Sequence, residues 1–402
     1  MKALQSRAAS ADFSAGNQLQ LLESGTEYFP ALVAAINDAR EEVHLETYIF
    51  ADDEAGRAVA DALAAAARRG VAVRVLVDGF GARDFADGLG VELSTAGVEV
   101  LVYRPELARL ELSRRRLRRL HRKLVVIDGR IGFIGGINVI DDFDMGNTPQ
   151  QTPPRFDYAV RIEGPLVDAM HAAVRHVWQL VRWARLGRRP PPPRPLTRWV
   201  NSRVGEISAR FVQRDNLRNR HAIENAYLAA INSAQREIII ANAYFLPGRR
   251  FRRALESAAK RGVKVTLLLQ GRIEYALLHY ATLGLYRLLS KQAIRIVEYR
   301  ASFLHAKVAV IDGAWATVGS SNIDPFSLLL AREANVVIND AGFAGVLRAS
   351  LLLAIARGGC EVSHDEIVDW PWWQSLGSRA AYAAVRVLLN IGVGHAHATR
   401  QA

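Results

Sequence analysis

The chain carries one short pattern of chemically active residues twice, and this repeat constrains the fold more than any other feature. Each copy contains, in order, a histidine, a lysine, an aspartate and an asparagine. The copies are His121, Lys123, Asp128 and Asn138, and His305, Lys307, Asp312 and Asn322. Lysine stands two residues after histidine, aspartate five after lysine and asparagine ten after aspartate in both. One copy can arise by chance, whereas two in register indicate a single active site built from two halves.

The residue types in this pattern suit a phosphate group. Apolar residues follow each histidine and end at an Asp-Gly pair, which predicts buried strands. Side chains two apart on a strand face the same side, so each histidine is predicted to point with its lysine. Lysine then acts as a point charge, asparagine as a hydrogen-bond donor, and histidine as a nucleophile or acid. The alternative, a strand edge with a solvated lysine, fits one copy better than two.

The halves also share an order of elements. Residues 34–37 (Ala-Ala-Ile-Asn) recur at 229–232, and residues 68–71 (Arg-Arg-Gly-Val) are echoed at 260–263 (Lys-Arg-Gly-Val). Each half contains a helix, an apolar strand, an alanine-rich helix, an apolar strand and the motif strand. This alternation predicts an α/β fold in which helices cover a mixed sheet. A chain of 402 residues is long enough for two such domains.

Four consecutive prolines, at positions 190–193, indicate the junction between the halves. Such a run cannot form a helix or central strand and favours an extended spacer, with a proline-rich recognition motif as the alternative. We therefore predict a first lobe over residues 1–186, a Pro/Arg-rich linker over 187–204 and a second lobe over 205–360. Residues 361–402 form a tryptophan-containing tail, predicted either to lie at a membrane interface or to pack on the second lobe.

Charge and composition predict an anionic partner. The formal charge is +12 and the isoelectric point is near 10.1, which suits a membrane surface or a nucleic acid. The single cysteine, Cys360, excludes an internal disulfide and a cysteine-rich zinc site. Residues 1–18 lack the apolar stretch of a signal peptide, and we expect no membrane-spanning segment. Membrane contact is therefore expected to be peripheral.

Two groups of arginines are candidates for that contact. The first precedes or surrounds His121 and consists of Arg114, Arg115, Arg116, Arg118, Arg119 and Arg122. The second is interleaved with Trp183 and Trp199 and consists of Arg182, Arg185, Arg188, Arg189, Arg194 and Arg198. The first run is either a solvated helix face or a surface that gathers anionic lipid headgroups. Residues 275–289 are either a core helix or a lining for acyl chains.

The paired motifs resemble the HKD motifs of the phospholipase D superfamily. Residues 45–50, 242–247 and 319–325 further resemble short-form bacterial cardiolipin synthases. The resemblance implies two phospholipase D-like α/β lobes related by a pseudo-twofold axis, with mixed sheets flanked by helices and the active site at their seam. It also implies that His121 is the nucleophile and His305 the general acid and base, although the residues alone do not distinguish the two.

The resemblance extends to the other site residues. Lys123, Lys307, Asn138 and Asn322 are expected to bind phosphate, and Asp157 and Glu333 to orient the histidines. Asp128 and Asp312 belong to the catalytic motifs but are expected to close strand–turn junctions. The first asparagine follows Gly135-Gly136-Ile137, so the first half lacks a counterpart of the Ser320 hydroxyl.

The implied activity is phosphatidyl transfer from one phosphatidylglycerol to another through a phosphatidyl-histidine intermediate, with release of glycerol. No cofactor and no metal are expected. The expected partner is an anionic phospholipid membrane, contacted from the cytoplasmic face, rather than a nucleic acid. The sequence does not predict any protein partner. The alternatives are a phospholipase D-type hydrolase and a nuclease of the same superfamily.

Overall fold

In the computed structural model, the described residues are 13–105, 118–143, 154–186, 202–215, 219–272, 276–324, 331–363 and 378. The first half contains seven strands and four helices in the described part of the chain. In order they are β1 (Ser14–Glu23), α1 (Ser24–Asn37), β2 (Glu42–Thr47), α2 (Glu54–Arg68), β3 (Ala72–Asp78), α3 (Leu89–Thr95), β4 (Glu99–Tyr103), β5 (Lys123–Ile127), β6 (Ile131–Gly135), β7 (Tyr158–Glu163) and α4 (Leu166–Leu186).

The second half repeats this order and adds one short strand. Its elements are β8 (Ile207–Arg214), α5 (Ala222–Ser233), β9 (Glu237–Asn242), α6 (Arg249–Lys260), β10 (Lys264–Gln270), α7 (Ala276–Ser290), β11 (Arg295–Tyr299), β12 (Lys307–Ile311), β13 (Trp315–Gly319), β14 (Glu333–Asn339), α8 (Ala341–Gly358) and β15 (Gly359–Glu361). The predicted linker boundaries stay a prediction, because residues 187–201 lie outside the described residues.

Local sequence explains where several elements begin. The carboxylate of Asp53 accepts a hydrogen bond from the Gly56 amide at 2.7 Å, which caps α2. Asp340 caps α8 in the same way through the Phe343 amide, also at 2.7 Å. The motif strands β5 and β12 are runs of valine, isoleucine, leucine and alanine, and both are buried along their whole length.

All the strands join in one sheet. Its order is β15-β11-β10-β9-β12-β13-β14-β8-β1-β7-β6-β5-β2-β3-β4. Strands β2, β3 and β4 pair in parallel in the first half, as do β9, β10 and β11 in the second. In each half the motif strand pairs antiparallel to the first of these three strands. Strand β1 pairs with both β7 and β8 and thereby links the halves. The predicted α/β class with mixed strands and flanking helices is confirmed.

One hydrophobic core spans both halves. Val167 and Val174 of α4 lie in the same cluster as Leu347 and Leu351 of α8 and as strand residues from either half. A shared core holds the two halves in a fixed relation, which a site at their seam requires. Further clusters lie under the outer helices of each half, and Leu285 and Leu289 show that α7 is a core helix.

Helix α8 departs from the expectation that the chain has no apolar segment of membrane-spanning length. Among the described residues it is the one helix long and apolar enough to cross a membrane. Its buried face, including Phe343 and Leu347, packs into the shared core, and Arg348 on its flank pairs with Glu237 at 2.6 Å. In this structure one face of α8 covers the shared core, and the rest of the helix is exposed or partly exposed.

Candidate active site

The two motif histidines stand at the seam between the halves. Both lie just before the strands, since β5 begins at Lys123 and β12 at Lys307, so the prediction that the histidines sit on the strands is wrong by two residues. Instead, the segments around them pair across the seam. The His121 amide donates to the carbonyl of Arg332 at 3.0 Å, and the His305 amide donates to the carbonyl of Phe156 at 2.8 Å.

His121 is held by a carboxylate from the second half. Its Nδ1–H donates to Glu333, with distances of 3.0 Å to Oε1 and 3.2 Å to Oε2. Glu333 is completely buried, and the hydroxyl of Ser320 donates to its Oε2 at 2.5 Å. The amide of Ala334 donates in turn to the Ser320 oxygen at 3.1 Å. This chain of bonds fixes the imidazole with Nδ1 inward and leaves Nε2 as its reactive atom.

His305 is held in the same way by a carboxylate from the first half. Its Nδ1–H donates to Oδ2 of Asp157 at 2.6 Å, and the Tyr158 amide donates to Oδ1 at 2.8 Å. Gly136 takes the place that Ser320 has in the other half. A Cβ atom on Gly136 would lie 2.3 Å from Oδ1 of Asp157, so a serine does not fit there. Each histidine is thus oriented from across the seam.

Burial sets the protonation of these groups. Loss of hydration lowers the pKa of His121, although the negative charge of Glu333 opposes this shift. Loss of hydration also lowers the pKa of His305, and the positive charge of Lys307 lowers it further, to well below its usual value. Burial also raises the pKa of Asp157 to about 6. Both imidazoles are therefore neutral at pH 7 in the ligand-free protein, and each has a nitrogen able to attack an electrophile.

Both motif lysines are buried beside the histidines. The Lys123 ammonium donates to the carbonyl of His121 at 2.7 Å, and Lys307 donates to the carbonyl of His305. Burial lowers the pKa of Lys123 to about 7. Its ammonium also lies 5.4 Å from the ring centroid of Tyr48, whose ring is 5.0 Å from that of His121. Sequence reasoning did not single out Tyr48 as a site residue.

The motif asparagines, Asn138 and Asn322, are also buried. Oδ1 of Asn138 accepts from the Ile49 amide at 3.2 Å. The side-chain oxygen of Asn322 is buried and, within the described ranges, has no hydrogen-bond partner. Rotation of this amide by half a turn exchanges its oxygen and nitrogen and presents a donor instead. A phosphate oxygen is a suitable acceptor for that donor.

The motif aspartates are not part of this cluster. Asp128 and Asp312 lie at the far ends of β5 and β12, in the left-handed region, with φ of 52° and 53°. Oδ1 and Oδ2 of Asp128 accept from the amides of residues 40–42 at 2.7–2.9 Å. Asp312 accepts from the amides of residues 235–237 at 2.8–2.9 Å. These contacts tie the motif strand to the turn before its neighbour, as expected for strand–turn junctions.

The arginines of the run before β5 differ in their exposure to solvent. Arg122 is 1% exposed and pairs with Glu46, with 2.8 Å between Nη2 and Oε1, so its assignment to a lipid-gathering surface is wrong. Because neighbours in an extended chain point to opposite sides, Arg122 points away from the side of His121 and Lys123. On that other side it meets Glu46 and the carbonyl of Ala173. Arg118 is exposed, whereas residues 114–116 lie outside the described residues. In the second group, Trp183 is exposed, and residues 187–201 are again not described.

One group of metal-ligating side chains occurs among the described residues, away from the histidines of the motifs. Glu42, His44 and His171 bring ligand atoms within 4.8 Å of one another. Nη1 of Arg74 lies 3.1 Å from Glu42 and 3.3 Å from Nε2 of His44. The guanidinium already supplies the positive charge at this carboxylate, so the group is a buried ion-pair network. That the reaction needs no metal stays a prediction.

Both halves of the chain match a known protein family. A family model described as "Cardiolipin synthase, PLD-like domain" matches residues 32–142 and 227–351. Cardiolipin synthase B of Escherichia coli is 40% identical over 381 residues, which cover 92% of this chain and 88% of that protein. The major cardiolipin synthase ClsA of Bacillus subtilis is 31% identical over 363 residues, 90% of this chain and 73% of that protein.

The fold agrees with this relationship. The crystal structure of phosphatidylserine synthase from Haemophilus influenzae superposes with a TM-score of 0.67 at 14% identity and covers 96% of this chain and 98% of that one. At that identity the likeness concerns the fold alone. The family match in both halves and the relatives at 40% identity show that the chain belongs to the cardiolipin synthase family of phospholipase D-like proteins.

Proposed function

We propose that the protein is a phosphatidyltransferase that makes cardiolipin from two molecules of phosphatidylglycerol. The observation that carries the proposal is the pair of motif histidines, each oriented through Nδ1 by a carboxylate from the other half. Two such imidazoles on either side of one phosphorus supply a nucleophile and a proton donor. The names of relatives that are 40% and 31% identical support the choice of lipid substrate.

The first step forms the intermediate. Nε2 of His121 attacks the phosphorus of phosphatidylglycerol, and the bond from phosphorus to the glycerol headgroup breaks. Nε2–H of His305 gives its proton to the leaving oxygen, and free glycerol departs. The negative phosphodiester offsets the cations that lower the pKa of His305 and so favours the protonated acid in the complex. Lys123 and Lys307 neutralise the phosphoryl oxygens.

The second step reverses these roles. His305 removes the proton from a hydroxyl of a second phosphatidylglycerol, whose oxygen attacks phosphorus and releases His121. One phosphodiester replaces another, so no nucleotide is consumed. Water competes with the alcohol at about 55 M, and the site must position the lipid hydroxyl and exclude water for transfer to prevail.

Product analysis tests this proposal. Purified protein with phosphatidylglycerol vesicles should yield cardiolipin and glycerol in equal amounts, and added glycerol should suppress cardiolipin because it regenerates phosphatidylglycerol. Phosphatidic acid as the main product, insensitive to glycerol, would show a hydrolase. Cleavage of DNA with no lipid product would show a nuclease.

Alanine variants test the mechanism. His121→Ala and His305→Ala should each abolish turnover, and labelled phosphatidylglycerol should leave a phosphatidyl adduct on His121. His221→Ala is a matched control, because His221 is an exposed histidine at the start of α5. Full activity in either motif variant contradicts the mechanism, and an adduct found on His305 alone reverses the assignment.

We further infer that the protein attaches peripherally to the cytoplasmic face of the membrane. The charge of +12 supports attraction to anionic lipids, and the packing of α8 into the shared core supports attachment without a spanning helix. Salt at 0.1 M screens surface charges beyond about 10 Å, so high-salt or alkaline washing should release the protein. Retention after both washes contradicts the inference.

A further inference from the structure

Phe80 is an exposed aromatic residue at the edge of the sheet where His121 stands. It is 44% exposed and follows the end of β3. Because β3 runs parallel to β2 and β5 runs antiparallel, the end of β3 and the start of β5 meet at one edge. The neighbouring Gly81 packs on Tyr48, where an added Cβ would lie 2.4 Å from the Tyr48 carbonyl oxygen.

Two guanidinium groups lie against the Phe80 ring. The Cζ atom of Arg83 is 4.2 Å from the ring centroid and that of Arg119 is 4.9 Å away. Both distances are within the range of cation–π interaction. Arg83 is exposed. A single exposed phenylalanine is ordinary on a protein surface, whereas a ring flanked by two cations beside an active site is a specific arrangement.

A buried carboxylate ties this arrangement to the catalytic segment. Oδ1 of Asp78 accepts from the Phe80 amide at 2.8 Å, and its Oδ2 accepts from the Leu120 amide, also at 2.8 Å. Asp78 is completely buried, and Leu120 directly precedes His121. The Phe80 turn therefore has a fixed position relative to the reactive imidazole.

We propose that Phe80 and Arg83, with Arg119 holding the ring from its other contact, form an interfacial anchor that seats the mouth of the active site on an anionic phospholipid bilayer. An aromatic ring suits the depth of lipid headgroups, and guanidinium groups pair with their phosphates. The net charge of +12 complements such a surface. The anchor rests on the proposed function in that the bilayer it contacts supplies the substrate phosphodiester.

Binding to vesicles of equal parts phosphatidylglycerol and phosphatidylcholine tests the anchor. Phe80→Ala should lower partitioning roughly fivefold at all salt concentrations, because the lost contact is apolar, and Phe80→Trp should restore it. Arg83→Gln should lower partitioning roughly fivefold at low salt and have no effect at high salt. Pure phosphatidylcholine vesicles should bind all these proteins weakly.

Phe13→Ala is the matched control. Phe13 is 37% exposed and has Arg210 at 5.3 Å from its ring centroid, but it lines a cavity with Asp312, at the far end of the motif strand. Its variant should partition like the parent. Equal losses in Phe13→Ala and Phe80→Ala overturn the anchor, as does unchanged binding of both Phe80→Ala and Arg83→Gln.

Turnover separates the anchor from the proposed function. The ratio of turnover on vesicles to turnover on dissolved short-chain phosphatidylglycerol should fall about fivefold in Phe80→Ala. An unchanged ratio with lower turnover on both forms overturns the anchor and places Phe80 in the substrate pocket. The anchor is also overturned if Phe80→Ala binds duplex DNA more weakly than the parent but binds vesicles equally well. If the parent makes no cardiolipin but the binding losses occur, the proposed function fails and the anchor stands.

Discussion

Oε1 of Glu333 lies 3.0 Å from Nδ1 of His121, although the two residues belong to different halves of the chain. The converse contact, 2.6 Å between Nδ1 of His305 and Oδ2 of Asp157, crosses the seam in the opposite direction. Neither half therefore contains both a motif histidine and the carboxylate that orients it. Duplication alone doubles a motif; the exchange of carboxylates makes each motif depend on the other half.

The exchanged carboxylate is tested by Glu333→Gln. The amide keeps the shape of the side chain but loses the charge that selects the tautomer of His121. Turnover on phosphatidylglycerol should fall by about a thousandfold, as when a carboxylate that orients a catalytic histidine is neutralised. Glu361→Gln, at an exposed ion pair on β15, is the control. A fall in turnover of less than tenfold in Glu333→Gln would show that the activity of His121 does not depend on its contact with Glu333.

Because Ser320 and Gly136 occupy matching positions but differ in side chain, substitutions at the two positions should lower turnover by different amounts. Ser320→Ala removes a donor from the buried Glu333 carboxylate, which should lower turnover by roughly ten- to a hundredfold. Gly136→Ala places a methyl group 2.3 Å from Oδ1 of Asp157 and should displace it, with a larger loss. Steady-state kinetics and thermal unfolding of both variants provide the measurement. Equal activity in the two variants contradicts the asymmetry.

Spacing was sufficient to find the histidines and lysines of the site. Histidine and lysine two positions apart converge because the chain is extended there, even though β5 and β12 begin at the lysines. Resemblance supplied Asp157 and Glu333. Which carboxylate serves which histidine was not predictable. It depends on how the segment before β5 pairs with the start of β14, and the segment before β12 with the start of β7, and no local pattern encodes these pairings.

Burial explains the other departures. The arginine run is typical of a solvated face, yet Arg122 is buried and pairs with Glu46, 76 residues away in the sequence. Similarly, the role of Asp78 depends on its contacts with Phe80 and Leu120, which belong to separate loops. Pairs of this kind become visible only when distant strands are placed side by side.

The Arg122–Glu46 pair predicts a stability effect rather than a change in membrane binding. Removing one partner leaves the other charge buried and unpaired, so Arg122→Ala should lower the free energy of unfolding by about 3–5 kcal/mol. Arg118→Ala, at an exposed neighbour, should change it by less than about 0.5 kcal/mol. Urea titration measures both. A stability loss in Arg122→Ala no larger than that of the control contradicts the buried pair.

The motif aspartates should act on stability as well. Asp128→Ala and Asp312→Ala each remove the acceptor of several backbone amides and place alanine at a positive φ, so each should cost about 2 kcal/mol of unfolding free energy. Turnover per folded molecule should stay close to that of the parent, since both residues lie at the far ends of the motif strands. Loss of turnover without loss of stability would return these residues to the catalytic group.

Lys123 predicts how activity depends on pH. Burial lowers its pKa to about 7 in the ligand-free protein, so the ammonium is charged below pH 7 and loses its proton above it. Because the Lys123 charge binds phosphate and His305 must gain a proton to act as the acid, kcat/KM should fall as pH rises through about 7. Bound phosphodiester stabilises the ammonium and raises its pKa, so kcat should hold to a higher pH. An acid limb should lie below pH 6.5, where His121 takes up a second proton. Rates on dissolved short-chain phosphatidylglycerol across pH 5–9 measure both limbs. A kcat/KM that rises from pH 7 to 9 contradicts the role of Lys123.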